Sequence, residues 1–141
     1  MDRTTYLELV KTTAEACPYY RLLGISIESF DGGEAVLRMP FKEDLLQPHR
    51  VVHGGAISSL ADSATALALL GVLPPGSWFS TIEMKVNFVA PVDRGEMVAR
   101  ARIVHMGRTT AVADVDVTDG RGKLLAKSLQ TYIVLRARKE E

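Results

Sequence analysis

Apolar residues recur along this chain with two different spacings, and each spacing predicts a kind of element. Near the start they recur every three or four residues, which is typical of an amphipathic helix. Asp2 is suited to cap that helix, and Pro18 is expected to end it. The pattern therefore predicts an N-terminal helix within residues 1–18. Its apolar positions are Tyr6, Leu7, Val10, Ala14 and Cys17.

Elsewhere apolar and polar residues alternate, which predicts strands with one covered face. Two alternating stretches, at 23–28 and 34–39, flank an Asp-Gly-Gly turn and predict a hairpin. Four more strands are expected after residue 80, and Asp119-Gly120 is a strong hairpin signal between the last two. These later strands are placed at about 82–89, 99–104, 113–118 and 124–135.

A third pattern lies between these groups, in the segment HRVVHGGAISSLADSATALALL from His49 to Leu70. It predicts a helix that starts near Gly54-Gly55 and carries no charge except Asp62. A helix without a polar stripe is expected to be enclosed by the sheet. The order helix, two strands, long helix, four strands predicts an α+β fold in which an antiparallel sheet covers one helix. We expect one domain over 1–141, with a frayed tail at 136–141.

Asp62 is the unusual residue of the central helix. Burying an ionised carboxylate without partners costs several kcal/mol, about as much as a whole core side chain contributes. Either hydrogen-bond donors satisfy it, or it is a poised acid or base. Neighbours at helical spacing, Ser58, Ser59 and Thr65, are possible donors. A purely structural aspartate and a catalytic one both fit this pattern.

The preceding His53-Gly54-Gly55 favours the catalytic alternative. The first N–H groups of a helix have no partners within the helix, and glycine lets a ligand approach them closely. A carbonyl oxygen placed there would meet donors aimed at developing negative charge, as in an oxyanion hole. A carboxylate farther along could attack the carbonyl or activate a water. By itself, a glycine pair is equally typical of a flexible joint.

The helix, the two strands, the stretch HGGAISSLAD opening a small-residue helix and the four final strands resemble a hotdog-fold acyl-CoA thioesterase. The similarity is greatest to the phenylacetate-pathway and Arthrobacter-type 4-hydroxybenzoyl-CoA thioesterases, and it covers roughly residues 20–135. The acid nine residues after the histidine is fairly specific to that group. The resemblance implies a hotdog fold, which is a curved antiparallel sheet around a long central helix.

The resemblance also implies roles for particular residues. Asp62 corresponds to the catalytic carboxylate, either nucleophile or general base, and the Gly54 amide to the donor that polarises the thioester carbonyl. His53 corresponds to the histidine that orients the loop. Gln47 stands where the group has Asn or Gln to position the water or the leaving thiolate. Thr81 corresponds to the residue that helps place the water, with Ser80 as the rival position.

Coenzyme A is expected to contact a second set of residues. Gly107, Arg108 and Thr109 match a Gly-basic-Thr turn near the nucleotide, where Arg108 could pair with a phosphate or simply be solvated. Gly55 and Ser80 are counted with the substrate-binding residues, while Arg50 and Arg94 have weaker support. The chain departs from the group at Arg50-Val51, where many relatives have a glycine, and in an extra His49 that is expected at the surface.

The implied activity is hydrolysis of an aryl- or medium-chain acyl-CoA to the free acid and coenzyme A. One alternative is a non-catalytic acyl-CoA-binding hotdog protein, and another is a hotdog hydratase or dehydratase. Coenzyme A is part of the substrate, so no cofactor is expected, and the spacing of the three histidines and one cysteine suggests no metal site. Neither the acyl group nor the choice between nucleophile and base can be read from the residues.

Composition narrows the possible partners. Lys and Arg together equal Asp and Glu, at 17 each, so no overall field favours nucleic acid or an anionic membrane. The start does not resemble a signal peptide, and a single cysteine fits a reduced, cytoplasmic setting. One sheet around one helix leaves edges exposed. The resemblance implies that two protomers pair there, giving a homodimer at minimum and a homotetramer as the expected form, with active sites at the interface.

Overall fold

The computed structural model describes residues 1–137, and its elements follow the order that the sequence predicts. Three α-helices, a short 3-10 helix (Glu43–Leu45) and six strands form one antiparallel α+β unit. The helices are α1 (Arg3–Glu15), α2 (Pro18–Leu23) and α3 (Gly54–Leu70). The strands are β1 (Ser26–Asp31), β2 (Glu34–Pro40), β3 (Trp78–Phe88), β4 (Glu96–Met106), β5 (Thr110–Asp119) and β6 (Leu124–Leu135).

The sheet is curved around α3, which confirms the predicted hotdog architecture. Its strand order is β1-β2-β4-β5-β6-β3, and every neighbouring pair is antiparallel. Helix α3 contacts all six strands, and nine of its residues are buried. Small alanines on α3 allow the sheet to approach the helix closely, so the core forms between the helix and the concave face. Strands β1 and β3 form the two edges.

The N-terminal region differs from the prediction at Pro18. Helix α1 begins after the predicted cap, Asp2, but ends at Glu15, and Pro18 starts a second helix. Proline is suited to the first helical position because its missing N–H has no partner there. Gly24 then ends α2 in the left-handed region, with φ of 80°. The first strand therefore begins at Ser26, three residues later than the alternation suggests.

The alternation of β3 is interrupted at Ile82. The periodic pattern places Ile82 on the same face as Met84, but its side chain is 56% exposed. The pairing with β6 skips this position, because Thr81 lies opposite Tyr132 and Glu83 opposite Thr131. Such a bulge turns the side chains that precede it to the opposite face of the sheet. Thr81 consequently points toward the helix.

The end of the described chain is held by hydrogen bonds. Arg136 donates to the carbonyl oxygen of Gly107 at 3.1 Å, and the Ala137 amide donates to Ser77 Oγ at 3.2 Å. The rest of the predicted frayed tail, 138–141, lies outside the described residues. Within residues 1–137, no helix has the length and apolar character needed to cross a membrane.

Candidate active site

Asp62 lies in the middle of α3 and receives hydrogen bonds from two strands. Thr81 Oγ1, on β3, donates to Asp62 Oδ1 at 2.8 Å. The Tyr132 hydroxyl, on β6, donates to the same Oδ1 and also lies 2.9 Å from the backbone oxygen of Asp62. The carboxylate is therefore satisfied by residues far away in the sequence.

A purely structural Asp62 would receive hydrogen bonds from the hydroxyl groups beside it on α3, but Ser59 and Thr65 bond elsewhere. Ser59 Oγ donates to the carbonyl oxygen of Gly55 at 2.9 Å, and it lies 2.6 Å from the Tyr19 hydroxyl. Thr65 Oγ1 contacts the carbonyl oxygen of Ala61 at 3.4 Å. These hydroxyls thus bond to their own helix or to α2, and Asp62 remains open to a cavity.

That cavity has a volume of about 460 Å³ and combines aromatic rings with hydroxyl groups. Helix α2 supplies one wall, α3 the floor, and strands β3 and β6 the opposite wall. The lining residues are Tyr19, Tyr20, Ser59, Asp62, Ser63, Ala66, Phe79, Ser80, Thr81 and Tyr132. A carboxylate at the base of such a cavity is placed to act on a ligand that enters it.

Two tyrosines of this cavity have raised pKa values. Burial raises the pKa of Tyr132 far above its ordinary value, and its hydrogen bond to Asp62 acts in the same direction. Burial also raises the pKa of Tyr20, while the Ser63 hydroxyl has a smaller opposite effect. Both phenols are therefore neutral and able to donate hydrogen bonds throughout the neutral pH range.

The start of α3 presents one unpaired amide. His53 is the N-cap, and its Nδ1 accepts a hydrogen bond from the Gly55 N–H at 2.7 Å. Within residues 1–137, the Gly54 N–H has no hydrogen-bond acceptor. His53 thus caps the start of the helix, and this cap occupies the Gly55 amide. Gly54 is the amide left to bind a carbonyl oxygen.

Gly54 faces a separate groove of about 330 Å³, which it shares with Gln47 and Phe88. The Phe88 ring packs so closely that a Cβ on Gly54 would lie 2.9 Å from its Cζ. Gln47 Oε1 accepts a hydrogen bond from the His49 amide at 2.6 Å, which leaves the Gln47 amide hydrogens for a ligand. The predicted residues Gln47 and Gly54 therefore come together, but in a different cavity from Asp62.

The rival positions Thr81 and Ser80 both line the Asp62 cavity. Of these two residues, Thr81 is the one that donates to the carboxylate in the described chain. The bulge at Ile82 explains this, because it directs Thr81 inward opposite Tyr132.

The Gly107-Arg108-Thr109 turn joins β4 and β5 at the end of the sheet near Tyr132, which pairs with Ala111. Arg108 is exposed and makes no ion pair or side-chain hydrogen bond within residues 1–137. By contrast, Arg94 pairs with Asp93 at 3.0 Å, and Arg50 lies 3.9 Å from Glu43. Of the three basic candidates, Arg108 is the one with its guanidinium available for a phosphate.

Sequence reasoning missed Tyr132, Tyr20 and Phe88. The sequence indicates the position of Tyr132 only weakly. This residue lies on the predicted last strand, where alternation would turn its side chain toward the core. Tyr20 lies between the predicted first helix and the predicted first strand, where the pattern predicts no element. The contact between Phe88 and Gly54 depends on how β3 crosses the start of α3, which no local pattern encodes.

Comparison with known proteins identifies this arrangement. Residues 49–126 match the thioesterase superfamily model. The chain is 32% identical to a 1,4-dihydroxy-2-naphthoyl-CoA hydrolase of Listeria monocytogenes, over 83% of this chain and 95% of that protein.

Solved structures give the same result. A thioesterase from Haemophilus influenzae superposes with a TM-score of 0.85 at 27% identity, covering 96% of this chain and 94% of that one. A mutant of the phenylacetic acid degradation protein PaaI from Thermus thermophilus superposes with a TM-score of 0.76 at 32% identity, covering 83% and 98% of the two chains. The sequence resemblance is thereby confirmed. The chain belongs to the thioesterase superfamily and is a thioester hydrolase with the hotdog fold.

Proposed function

We propose that this protein hydrolyses an aryl- or medium-chain acyl-CoA to the free acid and coenzyme A. The single observation that carries the proposal is the Asp62 carboxylate, held by Thr81 and Tyr132 at the base of an aromatic cavity. The CoA thioester class is supported by the Listeria relative, which is named for hydrolysis of a CoA thioester. Aromatic walls with hydroxyl groups suit a compact acyl group.

Two chemical routes use the same residues. As a general base, Asp62 takes a proton from water while the water oxygen attacks the thioester carbonyl. The resulting oxyanion is stabilised by the Gly54 N–H, the C–S bond breaks, and the CoA thiolate takes up the proton. As a nucleophile, Asp62 attacks the carbonyl itself, releases CoA thiolate and forms an anhydride that water then hydrolyses. Gln47 contacts the water or the leaving thiolate, and Arg108 pairs with a phosphate of coenzyme A.

A complete site requires a second protomer. Gly54 and Asp62 are about two turns apart on α3, or roughly 12 Å along its axis, whereas both must lie within about 3 Å of the reacting carbonyl group. Gly54 of one protomer and Asp62 of its partner can meet this requirement. Strand β3 suits such pairing because it is a sheet edge with exposed apolar side chains, among them Trp78, Ile82 and Phe88. We propose a homodimer at minimum, with a tetramer as the expected form, in the cytoplasm.

Substitution of Asp62 by asparagine tests the proposed chemistry. Asp62→Asn keeps the shape of the side chain but removes its basicity, so we expect kcat/KM to fall at least ~100-fold. Thiol release is followed over aryl, short-, medium- and long-chain acyl-CoAs. Asp44→Asn, on an exposed turn, is the matched control and should retain wild-type rates. Unchanged hydrolysis by Asp62→Asn would contradict the proposal, as would acyl-CoA binding by the wild-type protein without any thiol release.

A further inference from the structure

Tyr132 has the contacts of a residue that acts on Asp62. It lies on β6, is 3% exposed, and is the direct cross-strand neighbour of Thr81 on β3. Its hydroxyl reaches across the cavity to the Asp62 side chain and backbone. A phenol has a single proton to donate, and the closer carboxylate oxygen is its main acceptor.

Both donors to Asp62 bond to the same oxygen of its carboxylate. Thr81 and Tyr132 both bond to Oδ1. Within residues 1–137, Oδ2 has no hydrogen-bond donor. A carboxylate held at one oxygen by donors from two different strands cannot rotate freely, so its second oxygen stays at a fixed position beside the cavity.

We propose that Tyr132 is a positioning residue of the active site, which fixes the Asp62 carboxylate through Oδ1 so that Oδ2 is the reactive oxygen. This inference rests on the proposed role of Asp62 in thioester hydrolysis. It applies equally to a nucleophile and to a general base, because both need one oxygen with a free lone pair and a defined direction. Tyr132 itself transfers no proton in this role.

The surroundings of Tyr132 make its effect measurable by pH. Asp62 is the only carboxylate that lines the cavity among the described residues, and the other titratable groups there are the phenols of Tyr19, Tyr20 and Tyr132. Burial raises the pKa of Tyr132, so this donor is retained wherever the enzyme is active. Loss of the Tyr132 proton therefore does not contribute to the acidic limb of the pH–rate profile.

A purely structural role for Tyr132 is the competing explanation. Its ring lies 6.0 Å from the Phe79 ring at a tilt of 47°, and both belong to a small cluster beside the main core. Tyr132→Phe separates the two roles, because it retains the ring and its packing and removes only the oxygen that reaches Asp62.

The experiment measures kcat, KM and the pH–rate profile of Tyr132→Phe with the best acyl-CoA of the panel. Loss of one hydrogen bond to the charged group is expected to lower kcat about tenfold with little change in KM. The ionised carboxylate loses a donor that favours it, so the acidic limb moves to higher pH by up to about one unit. Thr81→Val, which removes the other donor to Oδ1, should move the limb in the same direction. Tyr6→Phe, on α1, is the control and should match the wild-type enzyme.

Three outcomes would overturn the inference. They are a wild-type profile for Tyr132→Phe, a higher KM at unchanged kcat, and a loss of activity that follows only from a lower melting temperature or failure to fold. The comparison with Asp62→Asn separates the two proposals. If Asp62→Asn is inactive while Tyr132→Phe is normal, only the positioning role fails. If Asp62→Asn remains active, the proposed function fails first.

Discussion

A carboxylate inside an apolar helix needs hydrogen-bond donors, and in this chain they come from across the sheet. The helical neighbours of Asp62 are serines and a threonine, yet its partners are Thr81 and Tyr132. Hydrogen bonding and a catalytic role, which are alternatives at the level of the sequence, are therefore compatible in one residue. The donors occupy one oxygen and leave the other beside the cavity.

Arg50 is held in a backbone conformation that is unfavourable for a residue with a side chain. It is the one non-glycine residue with positive φ in the described chain, at 67°. Its 3.9 Å contact with Glu43 is exposed and contributes little to stability. The conformation itself costs a side-chain-bearing residue roughly 1–2 kcal/mol.

We therefore expect Arg50→Gly to be more stable than Arg50→Ala by about 1 kcal/mol, after allowing for the greater unfolded-state entropy of glycine. Both variants lack the guanidinium, so their difference isolates the backbone term. Urea unfolding of the two proteins measures it. Equal stabilities, or a more stable alanine variant, would show that this loop is not strained at residue 50.

At the scale of the element, the two adjacent glycines at the start of α3 have different hydrogen-bond partners. The Gly55 amide completes the N-cap with His53, while the Gly54 amide has no partner in the described chain and faces the groove beside Phe88. One glycine thus maintains the helix end, and the other is available to a ligand. As glycines, the two residues have the same helix propensity, and they differ only in these contacts.

Alanine at each glycine is expected to give opposite results. A Cβ at Gly55 would lie 2.9 Å from His53 Nδ1, so Gly55→Ala should lose the cap and about 1 kcal/mol relative to Gly54→Ala. At Gly54 the obstacle is the Phe88 ring, which is 55% exposed and able to move. Gly54→Ala should therefore fold well but lose at least ~10-fold in kcat/KM, because the methyl group and the displaced ring obstruct the amide. Denaturation and thiol release distinguish them, and wild-type kcat/KM in Gly54→Ala would argue against this amide as the carbonyl donor.

At the scale of the molecule, the proposed catalytic residues lie in two separate cavities of one chain. Gln47 and Gly54 line one groove, and Asp62 and Thr81 line another. A two-fold axis near the β3 edge would bring each half opposite the complementary half of the partner. In such a dimer, activity would be a property of the assembly.

Mixing two impaired variants tests that arrangement. Asp62→Asn and Gln47→Ala damage different halves, so a mixed dimer contains one intact site. After random reassortment, the mixture should recover about a quarter of the wild-type rate, although each variant alone is nearly inactive. Sedimentation should give at least twice the chain mass of 15.4 kDa. No recovery in a mixture shown to contain mixed dimers, or a monomeric mass for the active enzyme, would contradict a shared site.

The sequence by itself determined the order of the elements, their antiparallel arrangement and the burial of the central helix. These follow from periodicity and turn residues, which act over short distances along the chain. The predicted span of the last strand, 124–135, coincides with β6, and the Asp2 cap coincides with the start of α1. Gly54 and Asp62 lie on the predicted central helix, whereas the inward position of Thr81 depends on the bulge at Ile82.

Only the tertiary structure decided what these residues contact. Three features depend on strand register and packing between distant segments. They are the bulge at Ile82, the position of Tyr20 in the Asp62 cavity and the hydrogen bond from Tyr132 to Asp62. Those energies come from pairs of residues that are up to 70 positions apart, so no local pattern contains them. The sequence specifies which groups are present, and the packing of the sheet on α3 determines which oxygen of Asp62 is left without a donor.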